Sequence, residues 1–216
     1  MTYTGDDKKG IPVTIPGRPV FKSPETSHNP LSQRTPAPGR LALVQSFLNS
    51  VDYEEGIERF GTSESVRAWF VVHELIGPDV RISVGDRARV IEVREALRDL
   101  VGANSGKELW EGAVERYAEA IGSGVMLAPA AHPGGHVELE PVGDGLDAAF
   151  AMLMLICQNA NIDGTWQRFK LCRNPDCRWA FYDVSRNRSG LWCDMAVCGS
   201  RHKARAYRLR KQAGAS

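Results

Sequence analysis

The chain has 216 residues, of which 43% are hydrophobic and 25% are charged, the balance of an ordinary globular protein. Its length suits one medium-sized domain with a small additional unit. No apolar run approaches the roughly 20 residues that cross a bilayer, and the N-terminus lacks the apolar segment of a secretory signal peptide. The composition therefore excludes a membrane-spanning protein and predicts a cytoplasmic one whose cysteines stay reduced.

The net charge of +1 hides an uneven distribution of charge along the chain. Residues 166–216 hold twelve Lys or Arg and three Asp, a net charge of +9, and the remaining residues carry −8. Such an asymmetry favours an acidic partner for the basic part. Charge alone leaves two interpretations open, a nucleic acid partner and a basic tail that is only solvated.

Residues 1–39 contain seven prolines and few apolar positions with a regular period. This composition predicts an extended or partly disordered arm. From residue 40 onward, apolar side chains recur at helical spacing, so that each segment has one apolar face. The sequence predicts amphipathic helices over residues 41–51, 63–76, 86–101 and 107–121.

Several aromatic and histidine side chains fall on the apolar faces of these helices. We expect Trp69, Trp110 and Tyr117 to lie in the core, with the wall of a ligand pocket as the alternative, and His73 to be a buried core histidine. No nucleophile elbow, glycine-rich phosphate loop or pair of acid and base residues is recognisable. The sequence therefore does not favour an enzyme.

Two short runs of β-like composition follow, at residues 125–128 and 137–142, and a Gly/Pro/His loop joins them. The second run alternates apolar and acidic side chains, which predicts a β-hairpin. His132 and His136 lie in the loop, but two histidines alone are a weak signal for a metal or ligand site. Residues 146–162 are apolar nearly all round, which predicts a central buried helix, with Cys157 as a small buried hydrophobic residue.

Four cysteines near the C-terminus form two pairs of the same spacing. Four residues separate Cys172 from Cys177 and Cys193 from Cys198, and fifteen residues lie between the pairs. Two such pairs supply the four thiolates of a tetrahedral structural zinc site, which leaves no position for a catalytic water. A disulfide is unusual in a reducing compartment, a redox pair needs two intervening residues, and iron–sulfur clusters use other spacings. The spacing therefore favours one structural zinc.

A strongly basic segment begins directly after the last cysteine. Ser200 is suited to cap a helix, and Arg201, Arg205 and Arg208 then fall on one helical stripe. A helix so rich in cations buries little surface and is suited to meet phosphates. The predicted nucleic-acid-binding residues are Arg186, Arg188, Arg201, Lys203, Arg205, Arg208, Arg210 and Lys211. As a competing use, one or two arginines such as Arg201 are expected to donate hydrogen bonds to the cysteine sulfurs.

These segments resemble the CGNR zinc finger. The resemblance lies in LCRNPDCRW at residues 171–179, FYD at 181–183, SRNRS at 185–189 and WCDM at 192–195. Residues 198–201 read Cys-Gly-Ser-Arg, with Ser200 in the place of the family's Asn. In this family the finger follows a larger, mostly helical ABATE domain, described as a stress-induced transcription regulator, and residues 40–165 suit that domain in length and position. The resemblance implies bound zinc, DNA binding and a bacterial origin.

The sequence thus predicts a mostly α fold with a small β-hairpin. It is divided into the arm at residues 1–39, a helical domain at 40–165 and a treble-clef-like or knuckle zinc finger with a basic C-terminal helix at 166–216. The predicted function is zinc-dependent, DNA-binding transcription regulation, in which the large domain senses a small molecule or mediates dimerisation. The alternative is a non-enzymatic module that binds protein or RNA.

Overall fold

The structure, a computed structural model, describes residues 35–213. Residues 1–34 of the predicted arm lie outside the described residues. Within the described range there are six α-helices, and six short strands form three antiparallel two-stranded ribbons. The elements are α1 (Leu41–Leu48), β1 (Val51–Asp52), β2 (Ile57–Glu58), α2 (Ser63–Val72), α3 (Val84–Ala103), α4 (Ala113–Ile121), β3 (Leu127–His132), β4 (His136–Pro141), α5 (Leu146–Ile162), β5 (Phe169–Leu171), β6 (Ala180–Tyr182) and α6 (Ser200–Ala213). None of these helices is both long enough and apolar enough to cross a membrane.

Local hydrogen bonds explain where the second helix begins and ends. The Thr62 hydroxyl accepts a hydrogen bond from the N–H of Ser65 at 3.1 Å, which caps the start of α2. At the other end, Glu74 has a φ of +55°, and the N–H of Leu75 donates to the carbonyl of Phe70 at 2.9 Å. This left-handed closure ends α2 at Val72, although the apolar period predicts a helix to residue 76.

The fourth helix begins later than predicted, and this places Trp110 outside it. Trp110 is 50% exposed, so the expectation that it lies in the core is wrong. Its ring folds back over Gly112, where a Cβ atom would lie 2.2 Å from the ring, and its indole N–H donates to Asp99 at 3.4 Å. Trp69 and Tyr117 pack partly buried against the core, and His73 is buried as expected.

The core of the molecule is built around α5, whose bounds agree with the predicted buried helix. Phe47 of α1, Phe70 of α2 and Phe150 of α5 are fully buried. The ring centroids of Phe47 and Phe70 lie 6.2 Å apart and those of Phe70 and Phe150 6.4 Å apart, both in edge-to-face geometry, a favoured arrangement of aromatic rings. These contacts join three helices that are distant in sequence.

Two arginines of α3 are almost completely buried, which the sequence did not predict. Arg94 is 2% exposed and binds Glu58 through two hydrogen bonds, of 2.7 and 2.6 Å. Arg98 is 1% exposed; it donates to Glu95 at 3.1 Å and to the carbonyl of Arg178 at 3.1 Å. Buried charges are stable only when paired in this way. The pairs tie α3 to the β1–β2 ribbon and to the cysteine-rich segment.

The β5–β6 ribbon packs on the helices rather than standing apart from them. Phe169, Leu171 and Ala180 belong to the same buried cluster as α1, α3 and α5. Asn49, directly after α1, accepts from the N–H of Ala180 at 2.9 Å and donates to its carbonyl at 2.8 Å. The hydrophobic core is therefore continuous across residue 165, and the division into separate domains at that point stays a prediction.

We expect Asn49→Ala to lower the free energy of unfolding by about 1–3 kcal/mol, because the buried N–H of Ala180 loses its acceptor. The carbonyl of Ala180 keeps a donor, the side-chain amide of Gln45 at 3.2 Å. Urea denaturation measures the change. Asn187→Ala, at an exposed loop position, is the control and should change stability by less than about 0.5 kcal/mol. Equal effects of the two substitutions would show that the Asn49 bridge contributes nothing.

Candidate metal centre

The four predicted zinc ligands lie together in the structure. Cys172, Cys177, Cys193 and Cys198 are all buried, and their Sγ atoms lie within 4.8 Å of one another. The Sγ of Cys193 is 3.6 Å from that of Cys177 and 3.8 Å from that of Cys198. Four ligands at about 2.3 Å from a tetrahedral zinc lie about 3.8 Å from each other. The donor set and its spacing therefore fit one structural zinc, which these thiolates hold.

Two different turns bring the cysteine pairs into position. In the first, the N–H groups of Cys177 and Arg178 donate to the carbonyl of Asn174 at 3.0 and 3.1 Å. In the second, the carboxylate of Asp194 accepts from two successive N–H groups, at 2.8 and 3.0 Å. Asp194 thereby caps a π-helical turn at Met195–Gly199. This wider turn places Cys198 beside the other three thiols.

The electrostatics of the cluster favour a bound cation when the four cysteines ionise. Burial, together with the negative charge on Cys172, raises the pKa of Cys198. Four thiols in this space cannot all ionise against one another, and a dication supplies the compensating charge. The side-chain amide of Asn174 lies 3.9 Å from the Sγ of Cys198 and donates to it. Arg201 instead forms an ion pair with Glu54, so the expectation that it donates to a cysteine sulfur is wrong.

A buried ion pair organises the loop between the two cysteine pairs. The Nζ of Lys170 lies 2.7 Å from Asp183 Oδ2, and both side chains are buried. The N–H of Gly190 also donates to Asp183, at 2.8 Å, and a Cβ at Gly190 would lie only 2.6 Å from the carboxylate. Burial alone raises the pKa of Asp183, but hydrogen bonds from Lys170 and Ser185 lower it to about 2. The sequence shows these residues but not their pairing.

The predicted nucleic-acid-binding residues fall into two places. Arg201, Arg205 and Arg208 line one groove of about 360 Å³, together with Arg173 and His202. Lys203, Arg210 and Lys211 are exposed elsewhere on α6, and Arg186 and Arg188 are exposed on the 183–190 loop, outside that groove. Arg173 and Glu54 also line the groove but are not among the predicted residues. Glu54 contacts Arg201, which is far from it in the sequence, so no local pattern identifies it.

Two family models match the chain. The CGNR zinc finger matches residues 168–211. ABATE, with the description "Putative stress-induced transcription regulator", matches residues 41–157. No curated protein matches the chain.

The helical body and the four-cysteine centre define a zinc-finger protein. The chain belongs to the ABATE family, and a CGNR zinc finger follows its ABATE domain. Both the resemblance read from the sequence and the predicted zinc are confirmed. Neither family description names an enzymatic activity.

We expect Cys177→Ser to abolish zinc binding, because a structural zinc site needs all four ligands. The finger then loses the roughly 10–16 kcal/mol that zinc contributes to the folding of small fingers. Metal analysis should fall from one zinc per chain to none. Hydrogen exchange should rise over residues 172–213, while α1, α3 and α5 stay protected. Cys157→Ser, in α5 and outside the cluster, is the matched control and should keep its zinc. Loss of protection in all helices would mean that the finger and the helical body unfold as one unit.

We expect Asp183→Asn to lower the free energy of unfolding at pH 7 by about 3–5 kcal/mol, because the buried Lys170 ammonium loses its counter-charge. The folded pKa of about 2 lies below the ordinary value of about 3.9. The stabilisation by Asp183 is therefore complete above about pH 4 and is lost as the pH falls towards 2. Denaturation at pH 7, where zinc stays bound, is the measurement. Asp176→Asn, at an exposed position, should be nearly neutral, and an equal loss there would contradict the assignment.

Proposed function

We propose that the protein is a cytoplasmic, DNA-binding transcription regulator whose zinc centre holds α6 against the phosphate backbone of DNA. The observation that carries the proposal is that the cations on α6 are numerous and exposed to solvent. The helix holds six Arg or Lys and no acidic residue, and its cationic side chains are exposed. Within residues 35–213, Arg205 and Arg208 have no carboxylate partner.

The length and charge of α6 suit a nucleic acid. Fourteen residues span about 21 Å, enough to follow a groove of duplex DNA across its two backbones. Like charges three and four residues apart destabilise an isolated helix. A row of phosphates removes this repulsion and releases the counterions of the DNA, which is a strong, salt-dependent source of affinity.

The groove beside α6 adds to the support. Arg173 comes from the first cysteine turn, while Arg201, Arg205 and Arg208 come from α6. Two elements that the zinc holds together thus direct cations into one space. Such a concave site is suited to the two non-bridging oxygens of a backbone phosphate, and it needs the metal for its shape.

The ABATE domain reaches α6 through the β1–β2 turn. Glu54 in that turn pairs with Arg201 of α6. The neighbouring Tyr53 ring contacts two guanidinium groups, with its centroid 5.2 Å from that of Arg98 and 4.5 Å from that of Arg178. We propose that a small molecule bound by the ABATE domain, or dimerisation through it, changes DNA binding by moving this turn.

The alternative function is a non-enzymatic module that binds a protein or RNA. The Glu54–Arg201 pair favours this alternative, because it shows that a cation of α6 already binds a protein carboxylate. That pair is largely exposed on the arginine side, 59%, and exposed pairs contribute little free energy. We therefore propose DNA as the partner, and the DNA-binding experiment below distinguishes it from a protein or RNA.

We expect Arg205→Gln/Arg208→Gln to weaken binding to all duplex sequences alike. Each phosphate contact contributes about 0.9 to the slope of log affinity against log salt, so the slope should fall by up to about 2. Fluorescence anisotropy with duplex DNA over a salt series from about 50 mM measures it. Zinc content and thermal stability should not change, because both side chains are exposed.

The control is Arg59→Gln/Arg81→Gln, which removes the same charge from exposed positions of the ABATE domain. It should leave the salt slope unchanged. If the wild-type protein shows no salt-dependent binding to duplex DNA, or if the α6 variant loses zinc, the DNA proposal is wrong. Binding to single-stranded RNA or to an acidic protein would then support the alternative.

A further inference from the structure

A second group of metal-ligand side chains lies on the β3–β4 hairpin, far along the chain from the cysteines. In the register of this hairpin, His132 pairs with His136, Ala130 with Glu138, and Ala128 with Glu140. Because side chains alternate between the faces of a strand, His132, Glu138 and Glu140 project from the same face. Ala130 and Ala128, directly opposite the two glutamates, are small, which lets the imidazole ring lie across the ribbon.

The three side chains converge on one point. The Nε2 of His132 lies 3.1 Å from a carboxylate oxygen of Glu138 and 3.4 Å from one of Glu140, and the three ligand atoms all lie within 4.8 Å of one another. This Nε2 is sequestered from solvent, yet it has no hydrogen-bond partner among the described residues. Neither carboxylate contact therefore has the geometry of a hydrogen bond, and a buried polar atom of this kind requires another partner.

We propose that His132, Glu138 and Glu140 bind a divalent first-row transition metal, of the class of Zn²⁺ or Co²⁺. Ligand atoms about 2.0–2.2 Å from such an ion lie roughly 3–3.5 Å from each other, which matches both nitrogen–oxygen distances. The imidazole favours these ions over Mg²⁺ and Ca²⁺, which prefer oxygen ligands alone. The ion would also bind the Nε2 of His132, which has no hydrogen-bond partner among the described residues.

This site differs in kind from the cysteine centre. It has three protein ligands, of which Glu138 is 45% exposed, so water completes the coordination. A site of that type exchanges its metal with solution more readily than a closed site of four buried thiolates. Because its ligands come from both strands, the ion fastens β3 to β4. The hairpin thereby becomes a metal-responsive element of the ABATE domain.

The test is isothermal titration of Zn²⁺ into the full-length protein that already carries its one structural zinc. A second equivalent should bind, and Co²⁺ bound in its place should lack the thiolate charge-transfer band of the cysteine site. His132→Ala should weaken the second equivalent by about 100-fold or more, since changes behind a ligand already cost about 10–100-fold. Glu138→Gln, which keeps the shape of the side chain, should also weaken it.

His136→Ala is the matched control, because His136 faces His132 across the hairpin but is not one of the clustered ligands. It should bind the second equivalent as the wild-type protein does. In all variants the structural zinc should remain at one per chain, which shows that the fold is intact. If zinc binding stops at one equivalent in the wild-type protein, or if His132→Ala binds the second equivalent unchanged, the cluster is only an ion pair with a protonated imidazole and the proposal is wrong.

Discussion

The position of the basic helix depends on the bonds between one zinc ion and four thiolates. Cys198, the last ligand, lies two residues before Ser200, where α6 begins, so the metal fixes the base of the helix. Beyond that base, α6 has few contacts with the rest of the described chain: the Arg201–Glu54 pair and the packing of His202 on Trp192, with ring centroids 4.8 Å apart. A short helix of like charges has no packed face to orient it. The direction in which its cations point is therefore set at the first turn of α6, by the position of Cys198 and by these two contacts.

Cationic side chains have different surroundings in the helical body and on α6. In the helical body, cations such as Arg94 and Arg98 are buried and matched by carboxylates or carbonyls. On α6, the cations are exposed, and among residues 35–213 only Arg201 has a carboxylate partner. The first arrangement satisfies charges that are buried in the fold, and the second leaves the cations of α6 in contact with solvent. The two meet at the β1–β2 turn, where Tyr53 and Glu54 contact arginines on either side of the boundary.

Features that depend on residues close together in the sequence could be predicted, whereas contacts between residues far apart in the sequence could not. The buried helix at residues 146–162 and the zinc ligands were predictable, because an apolar run and a cysteine spacing are local patterns. Trp110 was misplaced because helical period alone does not show that its ring folds over Gly112. The burial of Arg94 was not foreseen either, since its partner Glu58 lies 36 residues away. The divisions at residues 39 and 165 stay predictions.

The side-chain amide of Asn49 has a further effect on the ribbon that it contacts. It occupies both backbone groups of Ala180, and Gln45 adds a second donor to the same carbonyl. Those groups lie on the outer edge of β6, where an unpaired strand invites pairing with the strand of another chain. Two polar residues associated with α1 thus close the edge at this residue as a third strand would. Among residues 35–213 the ribbon is two-stranded, and at Ala180 its backbone groups are not free to pair with the strand of another chain.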